Sequence, residues 1–244
     1  MRSHRVVGAL LAGAIAISCT GSAGAGRDST SGRKPATSEE NPVRTDAGAV
    51  PAAGSANPEA HRTILFLGTS LTAGLGLDPD SAYPQQIQRK IDALGLPYQV
   101  VNAGVSGETS AGLLRRLDWV LKRPADVVVV ETGANDGLRG LPITATSATI
   151  GSVLDRIRHD RPNASLLLVQ MEAPPNMGQD YTRAFHAMFP TLAKEHGATL
   201  LPFLLENVAG RTSLNQNDGI HPNNAGERIV ADNVWRTLQS MLVR

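Results

Sequence analysis

From Ile64 to the C-terminus, short apolar runs alternate with stretches whose apolar residues recur at helical spacing, which restricts the chain to a parallel sheet covered by helices. The runs occupy residues 64–67, 98–102, 126–131, 165–171 and 198–201, with the four valines 127–130 the clearest. Their apolar continuity suits strands buried on both faces. Between them, Ile87, Ile91 and Leu94 predict one helical stripe, and Leu113, Leu114, Leu117, Val120 and Leu121 a second. Ile150, Val153, Leu154 and Ile157 predict a third, Phe185, Met188, Phe189 and Leu192 a fourth, and Ile229, Val230, Val234 and Leu238 a fifth. The expected fold is an α/β domain over residues 61–244, a parallel sheet with helices on both sides. Such sheets bind ligands at the carboxyl ends of their strands, so reactive residues should follow the strands directly.

The first 60 residues do not share this pattern. Arg2 and Arg5 precede an apolar stretch at 6–17, so residues 1–18 read as an export signal. The stretch is shorter than the roughly 20 apolar residues of a membrane span. It ends at Ala16-Ile17-Ser18-Cys19. This resembles a bacterial lipoprotein signal, in which Cys19 is lipidated and becomes the mature N-terminus, with Ala16 standing where leucine is usual. The alternatives are ordinary signal cleavage after Ala23-Gly24-Ala25 and an uncleaved anchor. In residues 19–60 the only larger aliphatics are Val43 and Val50, too few to offset the entropy of ordering, so a flexible tether is expected. Attachment to a membrane of the bacterial cell envelope follows from the lipoprotein reading; soluble periplasmic or secreted protein follows from ordinary cleavage.

Composition removes several function classes. A net charge of +1, without any basic run interleaved with aromatics, speaks against nucleic-acid binding. A single cysteine allows no intrachain disulfide. None of the six histidines lies in an H-E-x-x-H pattern, and Asp218 with His221 is too small a ligand set, so no metal is expected. Gly104 to Gly107 lacks both the P-loop lysine and the full dinucleotide fingerprint, so no cofactor is expected either. A monomer is the default.

Four segments carry the chemistry-bearing residues. Gly68-Thr69-Ser70-Leu71 follows the first run, and Asn102 to Thr109 the second. Gly133-Ala134-Asn135-Asp136 follows the third, and Asp218-Gly219-Ile220-His221-Pro222 precedes the last helix. Pro222 biases His221 away from the α region and keeps it on an extended loop. Asn223 or Asn224 then caps the helix, with Glu227 placed for a capping-box contact with Asn224. Asp218, three residues before His221, is placed to orient its ring and stabilise the imidazolium. Ser70 is a candidate nucleophile, yet G-x-S-x-G is not met, because Thr72 occupies the last position. Asn135 offers a side-chain donor and Gly107 an unobstructed backbone N–H for negative charge developing on a carbonyl oxygen. Taken singly, these are ordinary caps and turns: Asn135-Asp136-Gly137 as a turn, Gly107 as a positive-φ position. Together they supply a nucleophile, an oriented base and two oxyanion donors.

In this order the four segments resemble the blocks of the SGNH (GDSL) hydrolase superfamily. Leu67 to Leu71, Gly133 to Gly140 and Asp218 to Asn223 are similar to its bacterial thioesterase I, lysophospholipase and arylesterase group. The resemblance implies a flavodoxin-like three-layer α/β/α fold with five parallel strands. It implies Ser70 as nucleophile, His221 as general base and Asp218 as its orienter, with an oxyanion hole from Ser70, Gly107 and Asn135. It places Leu138 and Arg139, in the loop 138–142, on one side of the acyl pocket and Pro174, in 171–181, on the other. The chain departs from the family's usual Gly-Asp-Ser by having Thr69, which alters the surroundings of Ser70 and leaves the triad intact. The expected activity is hydrolysis of acyl esters or thioesters through an acyl-enzyme on Ser70. Alternatives are a carbohydrate acetylesterase of the same fold, which the 4% aromatic content disfavours, and a catalytically weak binding lipoprotein.

Overall fold

The computed structural model describes residues 61–242, so the expected signal 1–18, Cys19 and the tether 19–60 lie outside the described residues. All five apolar runs are strands: β1 (Arg62–Gly68), β2 (Tyr98–Gly104), β3 (Val127–Val130), β4 (Ser165–Val169) and β5 (Thr199–Leu201). They form a single parallel sheet in the order β2-β1-β3-β4-β5. Ile64 to Leu67 and Val127 to Val130 are at most 2% exposed, as strands covered on both faces must be.

Seven α-helices are described: α1 (Ser70–Ala73), α2 (Tyr83–Ala93), α3 (Ser110–Val120), α4 (Ala134–Leu138), α5 (Ile143–Asp160), α6 (Gln179–Glu195) and α7 (Asn224–Leu238). α2 packs on α7, while α3, α5 and α6 pack in succession, so two helix groups flank the sheet. The chain runs from β1 to β2 on one side and returns to β3 on the other. A crevice therefore opens at the carboxyl ends of β1 and β3, where the direction of winding reverses.

The helical stripes are buried as their spacing predicts, with one correction. Ile87 and Ile91 are fully buried, whereas Leu94 is 52% exposed. α2 ends at Ala93 and Leu94 is its C-cap, so the chain has already turned out of helical phase; Leu96 packs on the core instead. A second correction concerns Glu227. Asn223 caps α7, its side chain accepting from the N–H groups of Ala225 and Gly226 at 2.9 and 3.1 Å. Glu227 makes no capping box; it is buried and accepts the Tyr83 N–H at 2.7 Å. The contact ties the start of α2 to α7. Burial pushes the Glu227 carboxyl up to about 8.

Pro190 lies inside α6 and cannot donate to the carbonyl of His186, four residues earlier. The side-chain amide of Gln170, just past β4, donates to that carbonyl at 3.1 Å. This repair fixes the segment that continues through Met171 to Pro174 toward the crevice. Gln170→Ala is expected to destabilise the fold by about 1–3 kcal/mol, the cost of a buried group left unpaired, read from the midpoint of urea unfolding. An unchanged midpoint would mean that water fills the role.

Candidate active site

β1 delivers the chain to Gly68 at the crevice, and the turn into α1 presents Ser70. Thr69 is the N-cap of α1, in extended conformation, with its hydroxyl near the Leu71 N–H at 3.5 Å. The turn is tight: a Cβ on Gly68 would meet Thr72 Oγ1 at 2.0 Å and Glu131 Oε2 at 2.8 Å. Gly68 is thus required by space, and any larger residue would displace the serine turn.

The loop before α7 brings the base. His221 Nε2 lies 2.8 Å from Ser70 Oγ, and His221 Nδ1 lies 2.6 Å from Asp218 Oδ2. Asp218 Oδ1 accepts the backbone N–H groups of Ile220 at 2.9 Å and His221 at 3.0 Å. These N–H groups, that of His221 foremost, together with the ring, hold the Asp218 carboxyl down to about 2. An ionised acceptor at Nδ1 selects the tautomer with its proton there and leaves Nε2 bare toward the serine hydroxyl. Asp218 remains charged throughout the range where an imidazole titrates. The acid limb of kcat/KM should therefore show a slope of one, the loss of a single free base, in rates measured from pH 4 to 8. A slope of two would mean that the carboxylate titrates with the ring.

Gln216, which the sequence did not mark, clamps this loop to the serine turn. Its amide donates to the carbonyls of Leu75 at 2.8 Å and Pro222 at 2.9 Å, and its N–H donates to the His221 carbonyl at 2.7 Å.

The remaining expected residues converge from β2 and β3. Gly107 has φ of 76°, with no atom within 4 Å of an added Cβ, so backbone conformation and not crowding calls for glycine there. Its loop is pinned on several sides. Val105 N–H donates to Gly68 O at 2.8 Å, and Asn135 Nδ2 to Glu108 O at 3.0 Å. Arg116 forks onto the Glu108 carboxylate at 2.7 to 3.0 Å. Asn135 lies in α4, so segment 135–137 is helical and not a turn. One N–H of its amide is taken by Glu108; the second is left for the crevice. Asp136, to which the sequence assigns no role of its own, is buried and accepts the backbone N–H of Ser110 at 2.8 Å and its hydroxyl at 2.6 Å, fastening the start of α3 to α4.

An apolar cavity of about 330 Å³ adjoins the triad, with Leu71 beside the serine, Ala134 beside Asn135 and Ile220 beside the histidine. Leu138 and Pro174 both line it. Arg139 is not among the residues of its wall; its guanidinium donates to the Gly107 carbonyl at 2.9 Å and braces that loop. Glu172 is the lone ionisable group of the wall, its Oε1 held by His186 Nδ1 at 2.7 Å. Among the described residues no group of three or more His, Cys, Asp or Glu could hold a metal.

This arrangement can activate an alcohol and attack a carbonyl held beside an apolar pocket. Known proteins are similar to this chain along most of the domain. The GDSL-like lipase/acylhydrolase family matches residues 66–229. Esterase TesA of Pseudomonas aeruginosa is 39% identical over 185 residues, 75% of this chain and 90% of that protein. The thioesterase 1/protease 1/lysophospholipase L1 of Escherichia coli K12 is 39% identical over 181 residues, 74% of this chain and 85% of that one. The crystal structure of psychrotrophic esterase EstA from Pseudoalteromonas, inhibited by monoethylphosphonate, superposes with a TM-score of 0.70 at 34% identity, covering 74% of this chain and 98% of EstA.

Proposed function

Because the chain belongs to the GDSL-like lipase/acylhydrolase family and its Ser70, His221 and Asp218 are joined by hydrogen bonds, we infer that it is a serine carboxylic ester hydrolase. The observation that carries this is the 2.8 Å contact between His221 Nε2 and Ser70 Oγ, across a separation of 151 residues. In the reaction, the Ser70 hydroxyl gives its proton to Nε2 while Oγ forms a bond to the substrate carbonyl carbon. The oxyanion is met by the N–H groups of Ser70 and Gly107 and by the free N–H of Asn135. Collapse breaks the bond to the alcohol or thiol, which takes the proton from His221. Water then repeats the sequence on the acyl-enzyme, releases the acid and restores Ser70.

Substrate class follows from the cavity. Its wall of Leu71, Leu138, Met171, Pro174, Leu205 and Ile220 suits an acyl chain, and its aromatic lining is limited to Phe203, a poor platform for stacking sugars. Acyl esters and thioesters are therefore the proposed substrates, ahead of acetylated carbohydrate. The protein should hydrolyse p-nitrophenyl butyrate with a burst of nitrophenol equal to the enzyme present, followed by a slower steady state. Turnover of acetylated xylan faster than of butyryl esters would favour the carbohydrate reading.

The N-terminal sequence supports export and attachment to a membrane of the bacterial envelope through lipidated Cys19, with 19–60 as spacer. A monomer suffices, since all the site residues come from one chain. In cells fed an alkyne fatty acid, the protein should take up label and Cys19→Ala should lose it. Equal labelling of both would contradict the anchor.

A further inference from the structure

The proposed mechanism leaves one buried ionisable cluster unused, directly behind the nucleophile. Glu131 ends the third apolar run and is fully buried. Its carboxylate faces the serine turn. Oε2 accepts the Thr69 backbone N–H at 2.7 Å, and the Thr69 hydroxyl lies 2.9 and 3.0 Å from the two oxygens. The Thr72 hydroxyl donates to Oε2 at 3.0 Å and meets the Tyr83 hydroxyl at 2.8 Å. Every donor on Glu131 comes from α1 or its cap, and Thr69 and Thr72 straddle Ser70.

We propose that Glu131 is a positioning residue for the nucleophile, holding the Thr69–Thr72 turn so that the Ser70 hydroxyl meets His221 and the Ser70 N–H faces the crevice. A carboxyl buried without a cation is unfavourable unless its lone pairs are matched by donors, and here the donors are those of this turn. The same contacts fit the departure from Gly-Asp-Ser. Thr69 can donate to Glu131, whereas an aspartate at 69 would set two buried carboxyls roughly 3 Å apart and require one to keep its proton. The consequence for rate follows from geometry: a displacement of about 1 Å at a reacting group costs on the order of 100-fold. Of the cavity wall, Leu71 alone lies on this turn, so KM should change much less than kcat.

The inference rests on Ser70 being the nucleophile, and the test separates the two. In Glu131→Gln, one carboxylate oxygen becomes an NH2 that cannot accept from the threonines. The expected result is a kcat for p-nitrophenyl butyrate lower by about 10- to 100-fold, with KM within about twofold. Glu227→Gln changes a second buried carboxyl close by, on the Tyr83 N–H, and should leave kcat unchanged. If Glu131→Gln does not fold, Thr69→Val and Thr72→Val break the same links one at a time. Each should lower kcat with KM unchanged, and Thr69→Ser should restore it. Full kcat in folded Glu131→Gln or in both valine variants would overturn the inference, as would equal losses in Glu131→Gln and Glu227→Gln. If Ser70→Ala were fully active, the reading of the site itself would fail; if Ser70→Ala were inactive and Glu131→Gln unimpaired, only the role of Glu131 would.

Discussion

Ser70→Ala is expected to lower kcat by about 10⁵- to 10⁶-fold, roughly 7–8 kcal/mol of transition-state stabilisation, with little change in KM or stability. The size follows from what remains. Without Oγ there is no acyl-enzyme, and His221 has no hydroxyl to deprotonate. The oxyanion donors and the apolar cavity persist, so a residual rate above that in water should survive, with water as the attacking group. His221→Ala should fall nearly as far, and the double variant scarcely further, because the two groups act as a unit. Ser70 is 9% exposed and its removed oxygen is small, so thermal unfolding should shift little. A loss below tenfold would place the chemistry on another residue.

Asn135→Ala is expected to lower kcat by about 10²- to 10³-fold, or roughly 3–4 kcal/mol. The amide spends one N–H on the Glu108 carbonyl and has one left for charge that develops only in the transition state. KM should hence move much less than kcat. Part of any loss would come from freeing the Glu108 loop, and Arg139→Ala measures that part, since it cuts a tie to the same loop at Gly107 without removing a donor. Steady-state kinetics of the two variants should leave Asn135→Ala at least tenfold the more damaged. Equal losses would assign the effect to the loop alone.

The architecture was legible because a parallel sheet covered on both faces writes itself as uninterrupted apolar runs, and its helices as stripes of three- and four-residue spacing. Val127 to Val130 and Ile150 to Ile157 could scarcely be read otherwise. Asp218 and His221 were legible as a pair because they lie three residues apart in one loop. Their partner was found by position after a strand and by likeness to a family. What stayed hidden depends on contacts between distant segments. Gln216 reaches Leu75 across 141 residues, Glu227 reaches Tyr83 across 144, and Glu131 reaches Thr69 across 62. Nothing local distinguishes a glutamate at a strand's end from a solvated one. Glu227 was misread because its position three residues beyond Asn224 fits a capping box, while burial against α2 gives its carboxyl group a different donor. The tie from Arg139 to the Gly107 carbonyl was equally hidden, since nothing local shows which neighbouring loop a side chain turns to.

An alcohol becomes reactive here only if the imidazole of His221 bears on it, and a fluorophosphonate reports that reactivity directly. Intact protein should take up one equivalent of probe, peptide mapping should place it on Ser70, and His221→Ala should react far more slowly. Unlabelled Ser70 in a sample that still hydrolyses p-nitrophenyl butyrate, or label mapped to a different residue, would contradict the account.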